Sequence, residues 1–413
     1  MAIAAVPLYL GKDFSSASPG LRFGMYLQLW GVNRRTDEVL WTTHDISYEV
    51  RGQNRQEREV KHENKVAALK SATLLTSNDR STMESLLERQ QHLFALSAGT
   101  ENGMALDAQA VAPFTTGLGN EHPLENGFAF LNPYGLPYLP GSGVKGVLRQ
   151  AACELSSGEW GDPQGWNAAA VTALFGAEAE SDSLTRGALT FWDVIPQIKG
   201  DNLSVEIMTP HQKHYYQDDQ DGQSPHDSGQ PTPITFLTVP PGSGFTFHVQ
   251  CNQLLLETLA PQLRENNRWR ILLEHAFEHA FNWLGFGAKT AVGYGAMAED
   301  TAKKASREQQ QAEQREQERK ANMSPEDLAL EENRQVIAKF RDAFELARKS
   351  NYQPGQEFDS KRNEFIQVAT SWDEQRSRLE AAELLAETVK WGASKKGKDR
   401  LRAAVATLKG DKD

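Results

Sequence analysis

The sequence predicts an α+β fold, with a ferredoxin-like β-α-β-β-α-β core that contains insertions and a C-terminal α-helical module. Three observations lead to this fold class. Between about residues 105 and 300, segments that alternate apolar and polar residues surround two segments with helical periodicity. A glycine-rich segment joins the second of these helices to the last strand. After residue 300 the composition changes, and amphipathic helical patterns continue to the end.

The predicted core elements follow one another in the order of that fold. In chain order they are a strand in ALDAQAVAPF, a helix in GSGVKGVLRQAACELSS, strands in RGALTFWDVIPQ and NLSVEIMTP, a hairpin in PITFLTVPPGSGFTFHVQC, a helix in NRWRILLEHAFEHAFNWLG and a strand in VGYGAM. Ser142 is the expected N-cap of the first helix. The second helix presents an apolar face from Trp269 to Trp283, and Gly285 is its expected C-terminal stop.

Further regions flank the core, which takes residues 105–300. Residues 1–104 predict a strand in LRFGMYLQLWGV and charged amphipathic helices in TTHDISYEVRGQNRQEREVKHENKVAALKSATLL and STMESLLERQQHLFALSAG. Ser81 and Glu84 form the expected capping box of the second helix. Residues 301–323 predict a charged connector, either a solvated helix or a disordered segment. Residues 324–413 predict a helical module, capped at Ser324, that packs on itself or on another protein.

Composition narrows the class of protein. The 413 residues carry a net charge of −11, and residues 1–300 hold 21 Lys+Arg against 34 Asp+Glu. Such a balance disfavours a protein that coats nucleic acid with its whole surface, so any polyanion is expected to meet a few placed cations. No apolar run is long enough to span a membrane. Cys153 and Cys251 lie far apart without metal-ligand spacing, which favours a reducing, cytoplasmic setting and no disulfide.

Two glycine-rich segments are the most distinctive motifs. LPGSGVKGVLR has a formal G-x-G-x-x-G pattern at Gly141, Gly143 and Gly146, but the preceding GLPYLP contains two prolines that a central strand of a dinucleotide-binding fold does not tolerate. GFGAKT ends like a phosphate-binding P-loop, yet it follows a helix instead of a strand, and Ala288 precedes the lysine. Each segment is therefore either a tight turn or a bare backbone that a phosphate chain approaches.

Both glycine-rich segments contain or adjoin basic residues. Lys145 and Arg149 are four residues apart, so they share one face of the first helix, and Ser142 lies at its start. A helix N-terminus offers free N–H groups and a partial positive charge, which suit a phosphate. Lys289 is the cation of the second glycine segment. For the helix alone, a solvated polar face is the simpler interpretation; the second segment favours a shared phosphate-lined groove.

Histidines invite catalytic interpretations that the spacing does not support. His275 and His279 lie one helical turn apart, but the order H-A-F-E-H misplaces the acid of a zinc protease, so we expect the polar side of a helix. His211 and His214 flank Lys213 beside two tyrosines, a mixture that can stack on bases and contact phosphates of single-stranded RNA. No catalytic set and no metal or cofactor site is predicted.

Four blocks in this order resemble a known family. GLPYLPGSGVKGVLR resembles the P-G-S-S-x-K-G-x-x-R segment of the RAMP superfamily of CRISPR-associated RNA-binding proteins, with Gly143 in place of the second serine. GFGAKTAVGYG resembles the C-terminal glycine-rich loop of that superfamily. GLGNEHPLENGFAF and VEIMTPHQKHYYQ, followed by PITFLTV, narrow the resemblance to the sixth-numbered subunit family of the Cmr complex, the type III-B CRISPR effector.

The resemblance implies a non-catalytic RNA-binding subunit with no cofactor. Its implied partners are the 3′ side of the CRISPR guide RNA, the target single-stranded RNA, the backbone RAMP subunit and an adjacent head subunit. The RNA-binding residues expected from the motifs are Ser142, Gly143, Lys145, Arg149, His211, Lys213, Gly287, Lys289, Thr290, Gly293 and Tyr294.

Two alternatives stay open from the sequence. The first is a RAMP-type endoribonuclease acting on guide precursor RNA, for which His122, His211 and His214 are the candidate acid/base residues. The second is a structural scaffold, in which both glycine segments are simple turns and the helical module binds a protein.

Overall fold

The computed structural model describes residues 2–51, 56–177, 186–209, 233–349, 357–391 and 395–410. The chain divides into two compact units, residues 1–304 and 305–413. The finer boundaries predicted from composition, at residues 104, 300 and 323, stay a prediction. Among the described helices, none is long and apolar enough to cross a membrane.

The first unit contains both strands and helices. The strands are β1 (Gly31–Val32), β2 (Val39–Leu40), β3 (His44–Arg51), β4 (Gln56–Glu63), β5 (Gly103–Ala110), β6 (Phe130–Leu131), β7 (Leu136–Pro137), β8 (Leu189–Phe191), β9 (Ser204–Met208), β10 (Ile234–Thr238), β11 (Gly244–Cys251) and β12 (Met297–Glu299). The helices are α1 (Pro19–Phe23), α2 (Lys65–Thr73), α3 (Ser77–Asn102), α4 (Gly141–Ser157), α5 (Ala168–Phe175), α6 (Gln253–Leu259) and α7 (Arg268–His279).

A four-stranded antiparallel sheet forms the centre of this unit, with strand order β12-β5-β11-β8. In its longest pairing, Gly244 to Gln250 of β11 run opposite Gln109 to Gly103 of β5. The apolar faces of α4 and α7 contribute to the same hydrophobic core as the sheet. Within that core the ring of Phe247 lies 5.2 Å from the ring of Phe277. A mixed architecture of helices and antiparallel sheets was predicted, and it is confirmed.

Several local predictions were wrong in the N-terminal region. The segment from Thr42, predicted as one amphipathic helix, instead forms the antiparallel pair β3–β4 followed by α2. LRFGMYLQLWGV, predicted as a strand, contains the end of α1 and the two residues of β1. The capping box of α3 is formed by Thr76 and Asp79, not by Ser81 and Glu84. The same Ser/Thr-x-x-acid spacing occurs twice, and the helix begins at the earlier pair.

Two core predictions also need correction. The two strands of the predicted hairpin exist as β10 and β11, but β10 pairs with β9 while β11 pairs with β5 and β8. The apolar face of α7 is buried as predicted from Trp269 to Ala280, whereas Trp283 is 66% exposed. A π-turn over Ala280–Leu284 follows α7 and rotates the last residues away from the helical register. Gly285 ends it with a φ of 69°, as predicted.

The second unit is helical. The charged segment after the last strand forms α8 (Thr301–Ala321), and α9 (Pro325–Lys349), α10 (Glu357–Thr370), α11 (Gln375–Thr388) and α12 (Lys395–Lys409) follow. Ser324 caps α9 as predicted, since its Oγ accepts the N–H of Asp327 at 3.1 Å. These helices enclose a separate apolar core, in which the rings of Phe340 and Phe365 stack 4.0 Å apart.

Candidate nucleic-acid interface

The glycine-rich loop from Gly285 to Gly295 is a tightly bonded turn. Its backbone has positive φ at Gly285 (69°), Gly287 (90°), Lys289 (59°), Gly293 (93°) and Gly295 (70°). The N–H of Ala288 donates to Thr115 O at 2.8 Å, and the N–H of Gly295 donates to Pro113 O at 2.9 Å. These main-chain groups therefore bond to the neighbouring segment of the protein and do not face a ligand.

Close backbone contacts explain two of the glycines without any ligand. A Cβ at Gly287 would lie 2.2 Å from Thr115 O, and a Cβ at Gly295 would lie 1.8 Å from Phe286 O. A side chain at Gly287 would push the loop off the segment that supports it, and a side chain at Gly295 would collide with the backbone of the loop itself. Gly293 differs, because it is exposed and a Cβ there would meet no atom within 4 Å.

Side chains of the loop gather around one aromatic ring of β10. Lys289 Nζ lies 5.5 Å from the centre of the Phe236 ring, a cation–π distance. The ring of Tyr294 meets Phe236 edge to face at 5.3 Å. Partial burial raises the pKa of the Tyr294 hydroxyl, and the nearby Glu206 carboxylate adds to the rise. Lys289, Thr290 and Tyr294 are half-buried and thus face a partly open surface.

The start of α4 differs from its prediction at the cap. Pro140, not Ser142, is the N-cap residue, and Ser142 lies exposed in the first turn. The N–H of Gly141 donates to Asp193 Oδ1 at 2.7 Å. The N–H groups of Gly143 and Val144 both donate to Pro140 O, at 2.9 and 3.1 Å. The first-turn amides expected to bind a phosphate are thus largely used within the protein, and the Asp193 carboxylate brings negative charge to that spot.

The surface of α4 around Gly143, Lys145 and Gly146 is more open. Gly143 and Gly146 are exposed, and Lys145 between them is half-buried. Within the described part of the chain, Lys145 has no carboxylate within ion-pair distance. A Cβ at Gly146 would meet nothing within 4 Å, and one at Gly143 would meet only the Leu139 Cδ1 at 3.4 Å. Neither glycine is required by packing or by backbone conformation, although each weakens the helix by about 1 kcal/mol relative to alanine.

Different parts of the first unit hold the two glycine segments. The start of α4 rests on Asp193 and on Val194, which forms a β-bridge with Leu139. The glycine loop rests on residues 113–115 and on β10. A groove shared by the two segments stays a prediction. His211 and Lys213, also predicted to contact RNA, lie outside the described residues.

Sequence reasoning missed the residues that support these segments. Asp193 accepts the N–H of Gly141, 52 positions earlier in the chain. Phe236 makes a cation–π contact with Lys289, 53 positions later. Phe236 lies in PITFLTV and Asp193 in RGALTFWDVIPQ, but nothing in either segment signals a contact with a glycine-rich turn. Contacts between segments far apart in the chain bring them close to the glycine-rich turns.

Two of the described histidines, His122 and His279, have structural partners. His122 Nε2 donates to Phe23 O at 2.8 Å, and its Nδ1 accepts the N–H of Leu124 at 3.2 Å. Burial lowers the pKa of this imidazole. His279, predicted on the polar side of its helix, is instead buried, with its Nε2 2.7 Å from Glu154 Oε2. In the described residues no group of three or more His, Cys, Asp or Glu is placed to hold a metal ion.

Known proteins resemble the chain around these segments. Residues 107–298 match the family model described as the RAMP superfamily. The CRISPR system Cmr subunit Cmr6 of Pyrococcus furiosus is 30% identical over 233 residues, which cover 44% of this chain and 64% of that relative. The chain thus spans less than two thirds of the length of this relative. The resemblance predicted from the glycine-rich motifs, both inside residues 107–298, is confirmed.

Two solved structures also align with the chain. The cryo-EM structure of the type III-B Cmr-beta complex bound to cognate target RNA contains a chain that is 19% identical, covers 57% of this chain and 70% of its own, and has a TM-score of 0.38. The crystal structure of Cmr6 from Pyrococcus furiosus is 25% identical, covers 48% of this chain and 97% of its own, and has a TM-score of 0.25.

Proposed function

Because residues 107–298 match the RAMP superfamily and a 30% identical relative is named as a Cmr subunit, we propose that this chain is an RNA-binding assembly subunit of a type III-B CRISPR ribonucleoprotein. It holds the 3′ side of the guide RNA and helps to engage target RNA. Its protein neighbours are the backbone RAMP subunit and an adjacent head subunit. The complex acts in the cytoplasm, in defence against foreign RNA.

The same proposal includes the core topology. The sheet order β12-β5-β11-β8, with α4 between β5 and β8 and α7 between β11 and β12, supports a ferredoxin-like core. The predicted hairpin between the second and third core strands is replaced by an excursion through the separate pair β9–β10. That pair carries Phe236, which contacts the glycine loop.

One observation carries the RNA-binding part of the proposal. Gly143 and Gly146 are exposed on the first turns of α4, and the fold requires a glycine at neither position. Glycine there leaves the helix surface bare beside Lys145, so that a bulky backbone can approach closely. A sugar-phosphate chain fits such a surface, because phosphate contacts position an RNA without reading its sequence. Base pairing between guide and target supplies the sequence specificity.

The expected salt dependence of binding follows from the number of cations in the two glycine-rich segments. Lys145, Arg149 and Lys289 are the cations of the two segments, and we propose that they face one groove. If they neutralise about three phosphates, the slope of log affinity against log salt is about −2 for single-stranded RNA. A unit with excess negative charge then binds RNA weakly alone, and joining neighbours on one RNA supplies most of the affinity.

The subunit is proposed to be non-catalytic. Of the three histidines considered for an endoribonuclease, His122 is the one within the described residues. Both of its ring nitrogens bond to the main chain, and its ring stacks on Phe23 at 3.8 Å. An imidazole with both nitrogens engaged cannot exchange protons with a substrate until it leaves this site. This geometry supports a structural role for His122.

Crosslinking within the assembled complex tests the proposal. The complex is reconstituted with labelled guide RNA and with the Lys145→Glu or Lys289→Glu variant of this chain. We expect crosslinking of the subunit to the guide to fall several-fold, because each change replaces a phosphate-neutralising cation with an anion. Lys12→Glu is the matched control, since it changes the same charge at an exposed residue outside both segments. Normal assembly with unchanged crosslinking in both variants would rule out the groove.

A further inference from the structure

The helices of the second unit differ sharply in charge. Helices α9, α10 and α11 each contain one more acidic residue than basic residues. Their cations are often paired, as in Arg341 with Glu380 at 3.3 Å and Lys361 with Glu357 at 2.7 Å. Helix α12 instead contains six Lys or Arg and one Asp within 15 residues. Helix α12 is thus strongly basic in a chain whose net charge is −11.

Most cations of α12 lack a carboxylate partner. Arg402 pairs with Asp399 at 3.2 Å. Among the residues that the structure describes, no ion pair involves the others, which are Lys395, Lys396, Lys398, Arg400 and Lys409. Unpaired like charges on one short helix repel one another. Their repulsion is relieved when an anion binds.

Four of the six cations of α12, three of them unpaired and the fourth Arg402, form a stripe along the helix. At 100° per residue, the positions of Lys395, Lys398, Arg402 and Lys409 fall within about 60° of one another around the axis; we call these four residues the basic stripe. With a rise of about 1.5 Å per residue, it is about 21 Å long. Three of its members are exposed and Lys398 is half-buried. Such a length spans several consecutive phosphates of a nucleic-acid strand.

The stripe lies on a fixed support. Leu401 and Leu408, on another side of α12, are 5% and 2% exposed and belong to the apolar core of the second unit. Arg378 of α11 donates through Nη2 to Thr407 O at 2.7 Å, which holds the two helices together. The cations are therefore presented in a set arrangement, and binding need not order the helix first.

We infer that the basic stripe binds the phosphate backbone of single-stranded RNA. Its composition favours RNA over an acidic protein, because lysine is depleted from protein–protein interfaces, whose centres are apolar and aromatic. The large apolar residues exposed in this unit, Leu346, Val368 and Leu379, belong to other helices. Lysine ammonium groups contact phosphates as point charges without reading bases. The basic stripe lies outside residues 107–298. The inference rests on the proposed function only in naming RNA as the polyanion.

Salt-dependent RNA binding tests the inference on the full chain. The stripe variant replaces Lys395, Lys398, Arg402 and Lys409 with Gln, and a fluorescent oligouridine is the probe. Loss of about four phosphate contacts should reduce the salt slope by about 3 and weaken binding at least 10-fold at low salt. A second variant, with Arg at the three lysine positions, should bind like the wild type, because the charge is kept.

The control variant removes four cations elsewhere in the same unit. It replaces Arg315, Arg334, Lys339 and Lys349, all exposed, with Gln. Equal weakening in the control and stripe variants would show that bulk charge acts and would overturn the inference. An unchanged salt slope in the stripe variant would do the same, as would a stripe variant that loses only protein assembly. Lys145→Glu/Lys289→Glu is measured in parallel, so that failure of the groove in the first unit is seen separately.

Discussion

The two glycine-rich segments have similar composition but different physical reasons for their glycines. In the loop after α7, Gly287 and Gly295 have positive φ and touch backbone oxygens, so the fold alone accounts for them. In α4, Gly143 and Gly146 sit in a helix with room for a side chain. The difference teaches that glycine density does not identify a binding surface. Glycines that the fold does not need point to a ligand more strongly than those that it does.

The substitution Gly295→Ala is expected to change the stability of the fold most. Its methyl group would collide with Phe286 O, and alanine disfavours a φ of 70°. We expect the free energy of unfolding to fall by about 3 kcal/mol or more. Denaturant unfolding of the full chain measures it, with Gly293→Ala as the control. There φ is 93° but space is free, so the loss should be about 1–2 kcal/mol. Equal losses at both positions would mean that backbone contact does not set the requirement.

A smaller effect of opposite sign is expected at Gly146→Ala. Alanine favours the helix, and the new methyl group meets nothing within 4 Å, so the free energy of unfolding should rise by about 1 kcal/mol. Crosslinking to guide RNA should fall, because the methyl group stands where the sugar-phosphate chain approaches. If the variant is stabilised and crosslinks normally, the bare face of α4 is not an RNA contact.

The smallest expected effect is a pH dependence of the free energy of unfolding. It arises near the glycine loop and not near α4. His122 follows, in the chain, residues 113–115, which support the glycine loop. Its pKa is lowered in the folded state from the usual 6.5, so the unfolded chain binds more protons just below that pH. Stability should therefore fall as the pH drops below about 6.5, towards the lowered pKa. Denaturant unfolding between pH 5 and 8 measures this.

His122→Gln provides the matching control for the acid sensitivity. The variant removes the titrating group, so the part of the pH dependence that comes from this residue should disappear. Helix α4 has no histidine, and its glycine variants should keep the wild-type pH profile. A His122→Gln variant with the full acid sensitivity of the wild type would assign the effect to other groups.

Local sequence patterns predicted the helices and strands around the site, but they predicted less well which elements contact one another. The periodicity of α4 and α7 and the glycine stop at Gly285 needed only neighbouring residues, so the sequence sufficed. The capping of Gly141 by Asp193 and the pairing of β10 with β9 depend on residues far apart in the chain. The pair β3–β4 was mistaken for a helix because its many charges obscure the alternation of a strand. A groove shared by the two glycine segments also depends on contacts between residues far apart in the chain, which local patterns do not predict.

The pairing of β9 with β10 has a consequence for how this protein diversifies. Met208 lies opposite Ile234, so the chain between them departs and returns at one place in the sheet. Lengthening a connection of this kind costs little, about 0.6 kcal/mol for each doubling. A change in the length of the chain between these two strands is therefore compatible with the β9–β10 pairing. His211 and Lys213 lie between these strands in the sequence, so the contacts proposed for them can differ among related chains at little cost to this pairing.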